Sequence, residues 1–226
     1  MKTHLSRKSL LPATLALAAF FGLSQLAGAA TIWSDPNGGD WSVGTNWTAG
    51  APGATSDVQF GDVGAGQTTT DDIASETIDS LIYNQDDGLQ QTTVIPSGQT
   101  LTIASGVAVG SPILYVGSTA AVTTSTTAVI AAIQGTDLTS ALDLSGSGDI
   151  WVAQGNTTAG THNAQLNLQG LGTLNASIGR LLVGVNVNGI NRASGFLLLA
   201  QTNVITATGA SPQVEVGEAT ANGNSG

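Results

Sequence analysis

The chain has 226 residues, of which only 9% are charged, with 15 acidic residues against five basic ones and a formal net charge of −10. Lys2, Arg7 and Lys8 hold three of those basic charges, so beyond position 8 only Arg180 and Arg192 offset the acids, a surface that repels phosphate backbones and anionic headgroups and argues against nucleic-acid binding or peripheral membrane attachment. Cysteine is absent, which excludes disulfide bonding and thiol chemistry.

The first segment has the layout of a signal peptide. A basic start (Lys2, Arg7, Lys8) precedes a largely apolar stretch from Leu10 to Leu26, and Ala27-Gly28-Ala29 supplies the small residues a signal peptidase needs. Pro12, Thr14, Ser24 and Gln25 interrupt the apolar run, which favours a cleaved leader over a membrane anchor. Residues 1–29 are therefore expected to be removed. The mature protein is expected to be exported, extracellular or at the cell surface, with no direct membrane span.

Residues 30–72 read as an N-terminal cap region. Three of the four tryptophans, Trp33, Trp41 and Trp47, cluster there, followed by Ala51-Pro52-Gly53 and Asp57-Val58-Gln59-Phe60. A stack of repeats leaves an open core and unpaired strand edges at its end, and an atypical aromatic unit can close that end.

Residues 73–226 read as short strands separated by turns. Thr77 to Tyr83 is predicted as one strand, followed by Gln91 to Ile95, Thr100 to Ile103, Val107 to Val109 and Ile113 to Gly117. Leu142-Asp143-Leu144 and Asp149 to Val152 lead into an internal echo. Ile150 to Ala176 recurs as Leu181 to Ala207 at a spacing of 31, pairing Val152 with Val183, Leu166 with Leu197, Leu168 with Leu199, Leu174 with Ile205 and Ala176 with Ala207. A third copy opens at Gln213-Val214-Glu215-Val216-Gly217. Repeats of this length cannot bury their apolar face alone and must stack. Three strands per unit predict an all-β, right-handed parallel β-helix (β-solenoid) with a Trp-rich cap, whose polar excursions, Gln154 to Asn163 and Val185 to Ser194, project as loops. Because the third unit breaks off before its Leu-x-Leu strand, the solenoid is expected to be truncated at its C-terminus and to self-associate through that open edge.

These residues resemble a known group. The opening Trp33, Trp41-Ser42, Asn46-Trp47, Pro52 and Asp57-Val58-Gln59-Phe60, the strand Ser97-Gly98-Gln99-Thr100-Leu101-Thr102-Ile103, and the repeats over 150–217 are similar to those of exported bacterial proteins with autotransporter-associated β-strand repeats, including many of PEP-CTERM type. The resemblance implies a surface β-solenoid and carries no catalytic motif. Neither an autotransporter barrel nor a Val-Pro-Glu-Pro sorting signal is present in these 226 residues.

Candidate chemistry is sparse. Polysaccharide lyases of β-helix fold need basic residues that lower the pKa of a carbon acid, and Arg180 and Arg192, each at a predicted turn, provide few. A glycosidase needs two carboxylates roughly 5 to 10 Å apart. Asp137, Asp143 and Asp149 recur every six residues, yet read as solubilising groups at strand edges and turns. Asp71-Asp72 and Asp86-Asp87 lack the spacing of a calcium loop, and Asp86-Asp87-Gly88 reads as a turn. His162 stands alone in a loop, no Gly-x-Ser-x-Gly elbow occurs, and Gly64-Ala65-Gly66 lacks the context of a nucleotide loop. Trp33, Trp41 and Trp47 could stack on sugars but read as packing groups. Asn46, Asn156 and Asn175 begin glycosylation sequons.

The expected function is a non-catalytic, structural or adhesive surface solenoid that meets extracellular polysaccharide or other cell-surface components. No catalytic, cofactor-binding or metal-binding residue is assigned and no cofactor is expected. The alternative is a carbohydrate-binding module or a polysaccharide-active β-helix enzyme with its catalytic residues outside these 226.

Overall fold

The computed structural model describes residues 29–63, 66–85, 87–108, 110–117, 128–153, 163–185 and 194–217. They fold into three parallel sheets with almost no helix, an arrangement consistent with a β-solenoid. A seven-stranded sheet contains, in spatial order, β1 (Ala29–Ile32), β3 (Ser56–Phe60), β6 (Ser80–Tyr83), β9 (Pro112–Val116), β12 (Asp149–Val152), β15 (Leu181–Val183) and β18 (Val214–Val216). A six-stranded sheet contains β2 (Gly39–Asp40), β4 (Thr68–Thr70), β7 (Gln90–Ile95), β10 (Val129–Gly135), β13 (Ala164–Asn167) and β16 (Gly195–Leu198). The third, five-stranded sheet contains β5 (Thr77–Ile78), β8 (Thr100–Ser105), β11 (Ala141–Gly146), β14 (Thr173–Ile178) and β17 (Thr202–Ala207). From β4 onward the chain visits the six-, five- and seven-stranded sheets in turn, and each circuit is one coil.

Alternation along each strand sends every second side chain into the space the sheets enclose. In the seven-stranded sheet one inward row runs Val58, Leu81, Leu114, Ile150, Leu181 and Val214. A neighbouring row runs Phe60, Tyr83, Val116, Val152, Val183 and Val216, with Trp33 beside Phe60 at a centroid distance of 6.0 Å. The five-stranded sheet adds Ile78, Ile103, Leu144, Ala176 and Ile205. Parallel pairing places like on like, so the buried rows form one continuous core.

Three expectations about local structure are corrected. Thr77 to Tyr83 is two strands on two sheets, β5 and β6, because the chain turns a corner at Asp79. Val107 and Ala108 lie outside any strand. The echo holds in register for Val152 with Val183 and Leu166 with Leu197, but Leu174 pairs with Asn203 and Ala176 with Ile205. The link from β16 to β17 is two residues shorter than that from β13 to β14, and an even deletion keeps each side chain on its face. Asn203 therefore occupies an inward apolar row, where its amide donates to Ala200 O at 2.7 Å and its carbonyl accepts from Ala200 N at 3.1 Å. The predicted Pro96-Ser97-Gly98 turn is present, with Gly98 at φ 69°, a left-handed backbone that favours glycine.

Candidate functional site

The outer surfaces of the sheets differ in chemistry. On the five-stranded sheet, the outward rows are Thr77, Thr102, Asp143, Asn175 and Val204; Thr100, Ala141, Thr173 and Thr202; and Ala104, Ser145, Ser177 and Thr206. Small hydroxyl, amide and methyl groups thus repeat at the strand spacing of about 4.8 Å. The Asn175 amide donates to Asp143 Oδ1 at 2.8 Å across adjacent strands. All these positions are half-buried or exposed, so the face is a shallow, regular array of hydrogen-bonding groups.

The outer face of the seven-stranded sheet is apolar in its middle coils, between Gln59 and Glu215 of the same row. Its row of Ile82, Tyr115, Trp151 and Leu182 packs with Val185 as a second hydrophobic cluster, separate from the core, with the Tyr115 and Trp151 rings edge to face at 5.8 Å. The sequence signal for it is a departure from alternation: Ile113-Leu114-Tyr115-Val116 and Ile150-Trp151-Val152 are continuous apolar runs, as strands covered on both faces require. Burial pushes the Tyr115 phenol upward, so it stays neutral.

Asp149 and Arg180 flank this cluster. The Asp149 carboxylate is fully buried, and its Oδ2 accepts from Arg180 Nη2 at 2.6 Å, Arg180 Nε at 3.0 Å and Trp151 Nε1 at 3.2 Å. The expectation that Asp149 is a solubilising residue is thereby corrected, since it is buried on the outer face beside Trp151, where the ion pair to the next coil makes a carboxylate tolerable. Asp143 lies on the five-stranded face. Asp137 lies on the turn before β11, where bonds from Ser97 Oγ, Thr139 Oγ1 and Thr139 N hold its pKa below the usual carboxylate value. The three aspartates stand on two sheets and a turn, each with its own partners, rather than as a facing pair.

The tryptophans are inside. Trp33 and Trp41 are fully buried and Trp47 nearly so. Trp47 meets Trp33 and Trp41 edge to face at 4.9 and 5.5 Å, and Phe60 touches all three and stacks on Tyr83 at 5.2 Å. Their indole N–H groups are satisfied within the fold, by Asp35 O, Thr69 Oγ1 and Trp41 O. No flat indole face is presented to a sugar.

Sequence reasoning missed the burial of two carboxyls at the corner between β4 and β5. Asp71 and Glu76 are 1% and 4% exposed. Asp72, beside them, turns out to Ser42, whose N and Oγ donate to it at 2.8 and 2.5 Å; these bonds outweigh slight burial and lower its pKa. The hint was the position of Asp71 two residues after Thr69, on the inward phase of the strand. Asp87 accepts from Leu89 N at 2.9 Å before the turn at Gly88, where φ is 78°. His162, Arg192, Asp86, Asn156, Gly64 and Ala65 lie outside the described residues, as do most of the two polar excursions and the leader over 1–28. Among the described residues no three or more His, Asp or Glu side chains are grouped to hold a metal ion, and no helix is long and apolar enough to cross a membrane.

Comparison with family models, curated proteins and solved structures found no match to this chain.

Proposed function

We propose that this chain is an exported, right-handed β-solenoid whose Trp33–Trp41–Trp47 cluster caps its N-terminal end, and that it serves a non-catalytic structural or adhesive role at a cell surface or in an extracellular matrix. The observation that carries this reading is the outer face of the five-stranded sheet. A shallow periodic array of Thr, Ser and Asn suits many weak hydrogen bonds to an equally periodic partner such as a polysaccharide, and many weak contacts on one rigid frame add up to firm attachment. The leader-like residues 1–29, the acidic surface and the likeness to autotransporter-associated repeats of PEP-CTERM type support the same assignment. The exposed inward residues Val214 and Val216 of β18 support self-association along that strand.

The test is retention of the protein on insoluble peptidoglycan, chitin and cellulose, with Thr102→Arg/Asn175→Arg introduced on the polar face. Retention on at least one glycan is expected, reduced at least tenfold by the double variant with circular dichroism unchanged. Retention indifferent to the double variant would sink the assignment of this face. Release of reducing ends from soluble forms of the same glycans would make the protein an enzyme instead.

A further inference from the structure

The corner between β4 and β5 is built around two carboxyls that have no cationic partner among the described residues. Ladder bonds from Trp41 N to Thr70 O and from Asp71 N to Val94 O place Asp71 in the inward row between Trp41 and Ile95. Its Oδ1 is buried and receives no hydrogen bond. Glu76 closes the same corner, after a bend in which Ser75 takes the left-handed φ of 55°, a conformation that is strained for a residue with a Cβ. The corner ties three coils together, since Asp72 receives Ser42 of the coil before and Ser75 N donates to Gln99 Oε1 of the coil after at 3.2 Å.

The charged and titratable groups here are all acidic or neutral. Asp71 feels Glu76 and Asp72, and Tyr83 feels Asp71 while bonding Thr93 Oγ1 at 2.7 Å. Arg180, the described arginine, is committed to Asp149 in a later coil. A buried carboxylate without a counter-ion is costly, and protonation removes the cost and creates a donor.

We propose that Asp71 and Glu76 form a proton-operated latch that holds the aromatic first coils closed in mildly acidic surroundings and loosens them as the medium becomes alkaline. Burial, then the Glu76 charge, pushes Asp71 up to about 7, and burial pushes Glu76 up to about 7 against a bond from the Thr77 backbone. The sign follows from linkage. Both groups bind protons more tightly folded than unfolded, so the stability they lend is complete below about pH 4 and falls between pH 4 and 7. It is lost once the folded pair ionises above pH 7.

The experiment is hydrogen exchange of the 226-residue chain from pH 5 to 8, corrected for intrinsic exchange, with peptides from 29–83 compared with peptides from 141–183. The opening equilibrium of the first coils should rise roughly a thousandfold to ten-thousandfold from pH 5 to 8, close to two decades for each carboxyl, with the later coils largely unchanged. Asp71→Asn/Glu76→Gln should remove that rise. A rise that persists in the double variant would overturn the proposal, as would its absence in the unaltered chain. If the double variant fails to fold, Glu76→Gln alone must move the midpoint of the transition, and an unmoved midpoint counts against the latch. Calcium restoring full protection at pH 8 would overturn it in favour of a cation site.

Discussion

The first coils and the last are made of the same strands in the same sheets, yet they are stable for different reasons. In the inward row that begins at Phe60, exposure is 1% at Phe60, 0% at Tyr83, Val116 and Val152, 5% at Val183 and 72% at Val216. Nothing in Val216 as a residue accounts for the jump; among the described residues no strand pairs with β18 on its far side. In the early coils Trp33, Trp41, Trp47 and Phe60 pack together, Trp47 edge to face on Trp33 and Trp41, and two buried polar groups bond across coils, Trp41 Nε1 to Thr69 Oγ1 at 3.1 Å and Tyr83 to Thr93. In the last described coil the inward Val214 and Val216 are both substantially exposed. Burial in a stacked fold is a property of neighbours, so strands of similar pattern contribute less where fewer residues cover them.

The largest expected effect breaks the aromatic cluster of the early coils. Trp41→Ala removes a fully buried indole that supports Trp47 and Phe60, and should cost about 3–5 kcal/mol in denaturant unfolding. A loss below about 1 kcal/mol would show that the cluster is not what holds the early coils. Next comes the ion pair between adjacent later coils: Arg180→Met leaves Asp149 buried without its partner and should cost about 2–4 kcal/mol at neutral pH, with much of the loss recovered by adding Asp149→Asn. Failure of that second change to restore stability would mean that Arg180 acts through packing alone. The smallest effect sharpens the comparison directly. Leu166→Ala should cost about 2–4 kcal/mol, whereas Leu197→Ala, its register partner one coil later and half-buried, should cost about 1 kcal/mol. Equal losses would mean that the last coil is covered in solution, for instance by a second copy.

Part of the candidate site was legible beforehand. The outward Thr and Asn positions of the five-stranded sheet followed from alternation in Thr100-Leu101-Thr102-Ile103 and Leu174-Asn175-Ala176, because a period of two assigns faces without any knowledge of partners. The Asp149–Arg180 pair did not follow. The two are far apart in sequence, and only the pairing of Ile150 with Leu181 brings their side chains onto one outer face. The burial of Asp71 was missed for a related reason. An Asp-Asp step does not say which carboxylate faces inward, and only the bonds to neighbouring coils reveal that one turns out to Ser42 while the other turns in.

From its residues alone, this chain is determined to be β-rich, stacked and acidic, because alternation, turn residues and charge are local properties that a single strand already expresses. Which coil meets which was decided by tertiary structure. Turn lengths set the ladder register, and a two-residue shortening before β17 moved Asn203 into an apolar row without disturbing either face. The same stacking decided which carboxyls lost water, since desolvation depends on the groups above and below a strand and not on the strand itself.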